Sequence, residues 1–69
     1  MIITVMDRYD GLVETVTVIN PKWTVGQAVA SVLSAWMNDE DRIYSYGEAS
    51  FGILCEEGEP LDIYAVVTA

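Results

Sequence analysis

The chain has 69 residues, near the smallest size at which one hydrophobic core stabilises a fold, and its 52% apolar composition is typical of a globular protein. Eleven acidic residues against three basic ones give a net charge of −8, which excludes a phosphate-binding patch and hence direct binding to DNA or RNA. No apolar run reaches the roughly 18 residues of a membrane span, and the single cysteine excludes a disulfide framework.

The first predicted elements form a β-hairpin. Residues 1–6 are a β-branched apolar run of strand length, and residues 12–19 are a second run with imperfect alternation. Between them, residues 7–11 read as a turn in which Gly11 can adopt a positive φ. Asn20 and Pro21 then end the second strand, because proline offers no amide to a sheet.

A helix over residues 24–37 follows the hairpin and is the central element of the predicted fold. Thr24 and Gln27 have the spacing of a capping box at its start. The apolar residues of this segment recur with a 3.6-residue period and so share one helix face: Val25, Ala28, Val29, Val32, Leu33, Trp36 and Met37. A single amphipathic helix of this length needs a sheet to pack on.

The second half of the chain predicts three further strands separated by acidic turns. Asp39, Glu40 and Asp41 follow the helix, where they oppose its dipole, and a short strand over 42–46 carries Tyr44 and Tyr46 on one face. A second short strand covers 51–55, with Gly52 indicating a bulge or an edge. The turn with Glu56, Glu57 and Glu59 leads into a nearly all-apolar strand over 61–67, which is typical of the middle of a sheet.

This order of elements resembles the β-grasp, or ubiquitin-like, fold. The segment from Pro21 to Val25 is similar to the start of the helix in ubiquitin-like domains, and residues 57–67 are similar to the acidic turn and last strand of sulfur-carrier proteins. The resemblance implies a single α+β domain over residues 1–69 with an N-terminal hairpin, one central helix, two short strands and a final central strand in one mixed sheet.

The C-terminus departs from that resemblance. Sulfur carriers and ubiquitin end in Gly-Gly, whereas this chain ends Val66-Val67-Thr68-Ala69, so their activation chemistry is assigned to no residue here. The ubiquitin-like accessory proteins of type VII secretion also lack the two glycines and are similar in size. An accessory or carrier-type ubiquitin-like subunit, either of that kind or a degenerate sulfur carrier, is therefore one of the functions that the resemblance implies.

Catalysis is not expected from these residues. The chain has no histidine to act as a general base, and no glycine-rich phosphate loop. Cys55 has acidic neighbours, which disfavour a reactive thiolate, and is expected to pack as a small hydrophobe. The carboxylate pairs Asp39/Asp41 and Glu57/Glu59 match no calcium loop, so we expect no metal site and no cofactor.

The leading hypothesis is a small, non-enzymatic, cytoplasmic protein-binding module. Its charge favours a partner with a basic surface, and the sharper form of the hypothesis is a virus-encoded inhibitor that mimics nucleic acid. Trp23, in the turn before the helix, is either a packing residue or an exposed contact residue. The candidate partner-binding residues are Asp39, Glu40, Asp41, Glu56, Glu57, Glu59, Trp23, Tyr44 and Tyr46. The chain is expected to be complete, without a signal peptide, and monomeric or homodimeric, and an exposed strand edge could also pair with a second copy.

Overall fold

A computed structural model describes residues 1–68. Over that range the chain forms a five-stranded sheet with one α-helix on one of its faces. The strands are β1 (Ile2–Asp7), β2 (Gly11–Thr17), β3 (Arg42–Ser45), β4 (Ser50–Leu54) and β5 (Pro60–Thr68). The helix α1 covers Val25–Leu33 and continues as a single 3₁₀ turn over Ser34–Trp36.

The predicted hairpin is confirmed. β1 and β2 are antiparallel neighbours, with Ile2 opposite Thr17 and Asp7 opposite Gly11. Gly11 has a φ of +82°, a conformation that a residue with a side chain rarely adopts. The Asp7 carboxylate accepts hydrogen bonds from the amides of Tyr9 and Asp10, at 2.8 and 3.1 Å, and so fixes the turn.

The helix begins where the sequence predicts but is shorter than the predicted 24–37. The capping box is present: Thr24 Oγ1 accepts from the Gln27 amide, and Gln27 Oε1 accepts from the Thr24 amide. At the other end the Ser34 hydroxyl donates to the Ser31 carbonyl, and the Met37 amide bonds to Ser34 in a 3₁₀ pattern. The last turn thus closes through an i→i+3 bond, which satisfies one of the carbonyls left free at the end of an α-helix.

The sheet order is β2-β1-β5-β4-β3, and every pairing is antiparallel. The prediction that the final strand is central is confirmed, since β5 lies between β1 and β4. The prediction of a mixed sheet is wrong. The helix returns the chain to the end of the sheet where β2 began, and two successive hairpins then give β5 the direction of β3, opposite to that of β1.

The core lies between the helix and one face of the sheet. Its fully buried residues come from the helix and from three strands: Ile3, Val5, Ala28, Val29, Leu33, Ile53 and Ala65. Of the predicted helix stripe, Val32, Trp36 and Met37 are half-buried against this core. Val25 differs from the prediction and is 41% exposed, because it lies in the first turn, at the margin of the sheet.

We call the sheet face opposite the helix the outer face. Strand alternation puts Ile3 and Val5 in the core and therefore Ile2, Thr4 and Met6 on the outer face. The register continues this row across the sheet, because Met6 lies opposite Tyr64 and Tyr64 lies opposite Gly52.

Candidate functional site

The antiparallel register brings three turns to the same end of the sheet. Asp7, at the end of β1, lies opposite Ile63, near the start of β5. Arg42, at the start of β3, lies opposite Leu54, at the end of β4. The β1–β2 turn, the loop before β3 and the β4–β5 turn therefore lie side by side, and we call this region the acidic end.

The acidic end holds most of the charge of the molecule. Nine of the eleven acidic residues belong to it: Asp7, Asp10, Asp39, Glu40, Asp41, Glu56, Glu57, Glu59 and Asp62. Arg8 and Arg42 are also there, so nine carboxylates against two guanidiniums give a formal charge of −7. The exceptions are Glu14, within β2, and Glu48, in the β3–β4 turn at the opposite end.

The six acidic residues that the sequence suggested as partner-binding, Asp39–Asp41 and Glu56, Glu57 and Glu59, all lie at the acidic end. Asp41 also has a structural task, because its Oδ2 accepts a hydrogen bond from the Asn38 amide at 2.8 Å. Their role in binding stays a prediction.

The pKa of Glu57 lies below the ordinary value of a glutamate, so its carboxylate keeps its charge to a lower pH. The thiol of Cys55 donates to Glu57 Oε2 at 3.2 Å, and the backbone amide of Glu57 donates as well. Both bonds stabilise the carboxylate and lower its pKa, with the thiol contributing more. Cys55 is half-buried rather than part of the core, so its observed contact is polar.

Two exposed hydrophobic side chains adjoin the carboxylates. Tyr9, at the tip of the β1–β2 turn, is 79% exposed, and Leu12, at the start of β2, is 64% exposed. Large exposed hydrophobic groups beside charge are typical of residues that become buried in an interface. The acidic end thus carries exposed apolar area next to its carboxylates.

Trp23 lies at the opposite end of the molecule from the acidic end. It is 39% exposed, and its amide donates to the Asn20 carbonyl at 3.2 Å. It lines an open pocket together with Met1, Val18, Ile19, Asn20 and Pro21. The structure therefore does not bring Trp23 together with the predicted acidic residues.

Tyr44 and Tyr46 lie on the edge strand β3 and in the residue after it, on the outer face. Their ring centroids are 5.4 Å apart with an interplanar angle of 38°. Partial burial raises the pKa of Tyr46, the nearby phenols of Tyr64 and Tyr44 raise it further, and the positive charge of Arg8 opposes the shift. Tyr64, on β5, is thus part of the same group, which continues to the margin of the acidic end.

Several residues of these surfaces were not singled out from sequence as binding residues, namely Asp7, Asp10, Leu12, Asp62 and Tyr64. Each is local to a turn or strand that the sequence predicts, but their proximity depends on which strands pair and in which direction. Knowing that β1 and β5 pair antiparallel would have shown that these residues lie close together.

The described residues also limit other kinds of site. Among residues 1–68, no group of three or more histidine, cysteine, aspartate or glutamate side chains has the geometry to hold a metal ion. Within the same range, no helix has both the length and the apolar character to cross a bilayer.

Comparison with protein-family models, with curated proteins and with solved structures gives no match to this chain.

Proposed function

We propose that this protein is a small, non-enzymatic binding module that docks through its acidic end onto a basic surface of a partner protein. The observation that supports the proposal is the convergence of nine carboxylates from three separate turns at one end of the sheet. A charge that served only solubility could be spread over the surface, whereas here it is concentrated.

The charge density of the acidic end favours a partner that binds nucleic acid. Five strands set the width of this end at about 19 Å, since neighbouring strands lie about 4.8 Å apart. A DNA duplex carries one charge per about 1.7 Å, or about 11 charges over the same length. Nine carboxylates with Arg8 and Arg42 give a formal charge of −7 in this width, about two-thirds of the DNA charge. The sharper proposal is therefore a nucleic-acid mimic that inhibits a basic nucleic-acid-binding protein, as a virus-encoded inhibitor would.

The proposed complex uses charge and contact area in different ways. Exposed carboxylates steer the encounter and make it sensitive to salt, but each contributes little to affinity. Tyr9 and Leu12 supply apolar area next to the charges. We therefore expect the partner to carry a basic rim beside an apolar or aromatic contact.

The proposal is tested by capture from a lysate of the native host with the protein as bait. The washes use low and then moderate salt, bound proteins are identified by mass spectrometry, and retained proteins are challenged with duplex DNA. We expect a cytoplasmic, basic nucleic-acid-binding protein that salt releases and DNA displaces. Recovery of the bait alone, or of a partner that neither salt nor DNA displaces, contradicts the proposal.

A matched pair of bait variants separates the position of charge from its amount. Glu40→Gln with Glu59→Gln removes two carboxylates from the acidic end, and Glu14→Gln with Glu48→Gln removes two from elsewhere. Both baits have a net charge of −6, two less negative than the −8 of the parent chain. The first bait should release the partner at lower salt than the second.

An accessory or carrier-type ubiquitin-like subunit is the second proposal. The hairpin, the capped helix and the central last strand support a β-grasp interpretation of the fold, while the antiparallel pairing of β5 with β1 departs from the mixed sheet expected for it. Capture of an adenylating enzyme or of a secretion component in the same experiment would favour this function over the first.

A further inference from the structure

The outer face is a nearly continuous uncharged surface on a protein of net charge −8. Antiparallel sheets with one solvated face usually carry polar or charged residues there. Here the register and alternation place Ile2, Met6, Tyr44, Tyr64 and Val66 on that face. Arg42 and Asp62, which alternation assigns to the same face, lie at its acidic end, together with Arg8, whose charge acts on Tyr46. The remainder of the face carries no charge at these strand positions.

The outer face is also flat near its middle. Gly52 has no side chain, and the ring of Tyr44 occupies the space above it: a β-carbon built on Gly52 would lie 2.6 Å from Tyr44 Cε1. The ring therefore lies over β4 instead of projecting into solvent. A flat, uncharged surface of threonine, tyrosine and aliphatic side chains is complementary to another copy of itself.

We propose that the outer face packs against the outer face of a second copy of this chain, forming a two-sheet dimer. This proposal does not depend on the partner proposed above. The strength of the dimer contact is judged from the area that the two outer faces can bury. A sheet of five strands, each about six residues long, covers about 24 by 20 Å when half a strand spacing is added beyond each outermost strand axis. Two such faces bury roughly 1,000 Å², at the lower limit of specific interfaces, so the dimer is reversible.

Charge selects the orientation of the two sheets. If the strands of both copies point the same way, two acidic ends of formal charge −7 lie together. If they point in opposite ways, the acidic ends lie about 20 Å apart, which is more than the Debye length of about 8–10 Å at physiological salt. Each acidic end then also lies nearer the end of the other copy that carries Lys22. The dimer therefore presents its two acidic ends in opposite directions.

Sedimentation velocity of the full chain, from about 10 μM to about 1 mM, tests this proposal. The parent chain should shift from monomer to dimer over this range, and added salt should strengthen the dimer because it screens the like net charges. A monomer at every concentration, or species larger than a dimer as expected for strand-edge pairing, overturns the proposal.

Tyrosine-to-lysine substitutions provide a matched pair of variants. Tyr46→Lys places a charge on the outer face, where the side chain is 51% exposed and the substitution should be tolerated, whereas Tyr9→Lys makes the same change at the β1–β2 turn. We expect Tyr46→Lys to weaken dimerisation by about 30-fold or more and Tyr9→Lys to leave it unchanged or slightly stronger. Equal effects of the two substitutions overturn the proposal.

Thr15→Lys is a second outer-face variant, on the exposed strand β2, and keeps the test decisive if Tyr46→Lys does not fold. Circular dichroism of each variant confirms folding. A Thr15→Lys chain that folds and dimerises like the parent overturns the proposal.

Discussion

Replacing Gly52 with alanine should destabilise the protein through one side chain, that of Tyr44. A β-carbon at position 52 would lie 2.6, 2.8 and 2.9 Å from Tyr44 Cε1, Cζ and Oη, distances well inside van der Waals contact. Position 52 does not have a left-handed φ, so alanine meets no backbone strain there. The tyrosine ring must therefore move.

The expected magnitude follows from two opposing terms. Overpacking costs typically 1–3 kcal/mol, and a value near the middle, about 2 kcal/mol, applies because three ring atoms lie inside contact distance while the ring, on an edge strand, can still move toward solvent. Alanine in a strand is more favourable than glycine by about 0.5–1 kcal/mol. We expect Gly52→Ala to lower the free energy of unfolding by about 1 kcal/mol in the parent chain and to raise it by about 0.5–1 kcal/mol in a Tyr44→Ala background.

A double-mutant cycle measures both values. The parent chain, Gly52→Ala, Tyr44→Ala and the double variant are unfolded in urea, and unfolding is followed by tryptophan fluorescence. The change of sign is the diagnostic result, because it isolates the contact between residues 44 and 52. If Gly52→Ala has the same effect with and without the Tyr44 ring, the assignment of this glycine to ring packing is refuted.

Three further predictions concern the core and the titrating groups. Leu33→Ala should lower the unfolding free energy by about 3–4 kcal/mol in urea titrations, since Leu33 is fully buried, while Ser31→Ala on the exposed helix face should change it by less than about 0.5 kcal/mol. The pKa of Glu57, followed by NMR, should lie below that of a free glutamate. Because folding lowers this pKa, the stabilising effect of Glu57 is present above the pKa of the unfolded chain and is lost as the pH falls through the pKa of the folded protein. Cys55→Ala should remove most of the lowering, because the thiol is its largest cause. The pKa of Tyr46, followed by absorbance, should lie above that of a free tyrosine. Because folding raises this pKa, the contribution of Tyr46 to stability is present below the pKa of the unfolded chain and is lost as the pH rises through the pKa of the folded protein.

Local patterns predicted the elements of this fold well. The period of the residues from Val25 to Leu33 and the capping box at Thr24 and Gln27 located the helix start, and alternation with turn residues located all five strands. The helix end was predicted too late because Trp36 and Met37 keep the apolar period through the 3₁₀ turn and just beyond it. Periodicity alone does not distinguish those conformations.

The direction of the last strand could not be obtained in the same way. Whether β5 runs parallel or antiparallel to β1 depends on the path of the helix and of two hairpins, not on the residues of either strand. Whether Asp39–Asp41 and Glu56–Glu59 are neighbours depends instead on the β3–β4 pair, which sets the start of β3 beside the end of β4. The element order, which local patterns predicted, is therefore right, and the strand direction, which the resemblance to a mixed-sheet fold implied, is wrong.

The role of Gly52 is a second example. Its sequence context indicated a bulge or an edge, and a register shift does occur between Gly52 and Leu54. The contact with Tyr44 was not predicted, because it depends on Tyr44 lying opposite Gly52 in the β3–β4 pair. A cross-strand contact of this kind requires the register, which neither strand specifies alone.

If binding depends on where the carboxylates lie, and not only on how many there are, an affinity comparison of two variants of equal charge shows it. The captured partner is titrated with the Glu40→Gln, Glu59→Gln chain and with the Glu14→Gln, Glu48→Gln chain, which have equal net charge. At about 0.5–1 kcal/mol for each lost charge, the first should bind about 5–30-fold more weakly than the parent chain and the second within about twofold of it. Equal weakening of both would show that only the total charge matters, and no weakening of the first would show that the acidic end does not bind the partner.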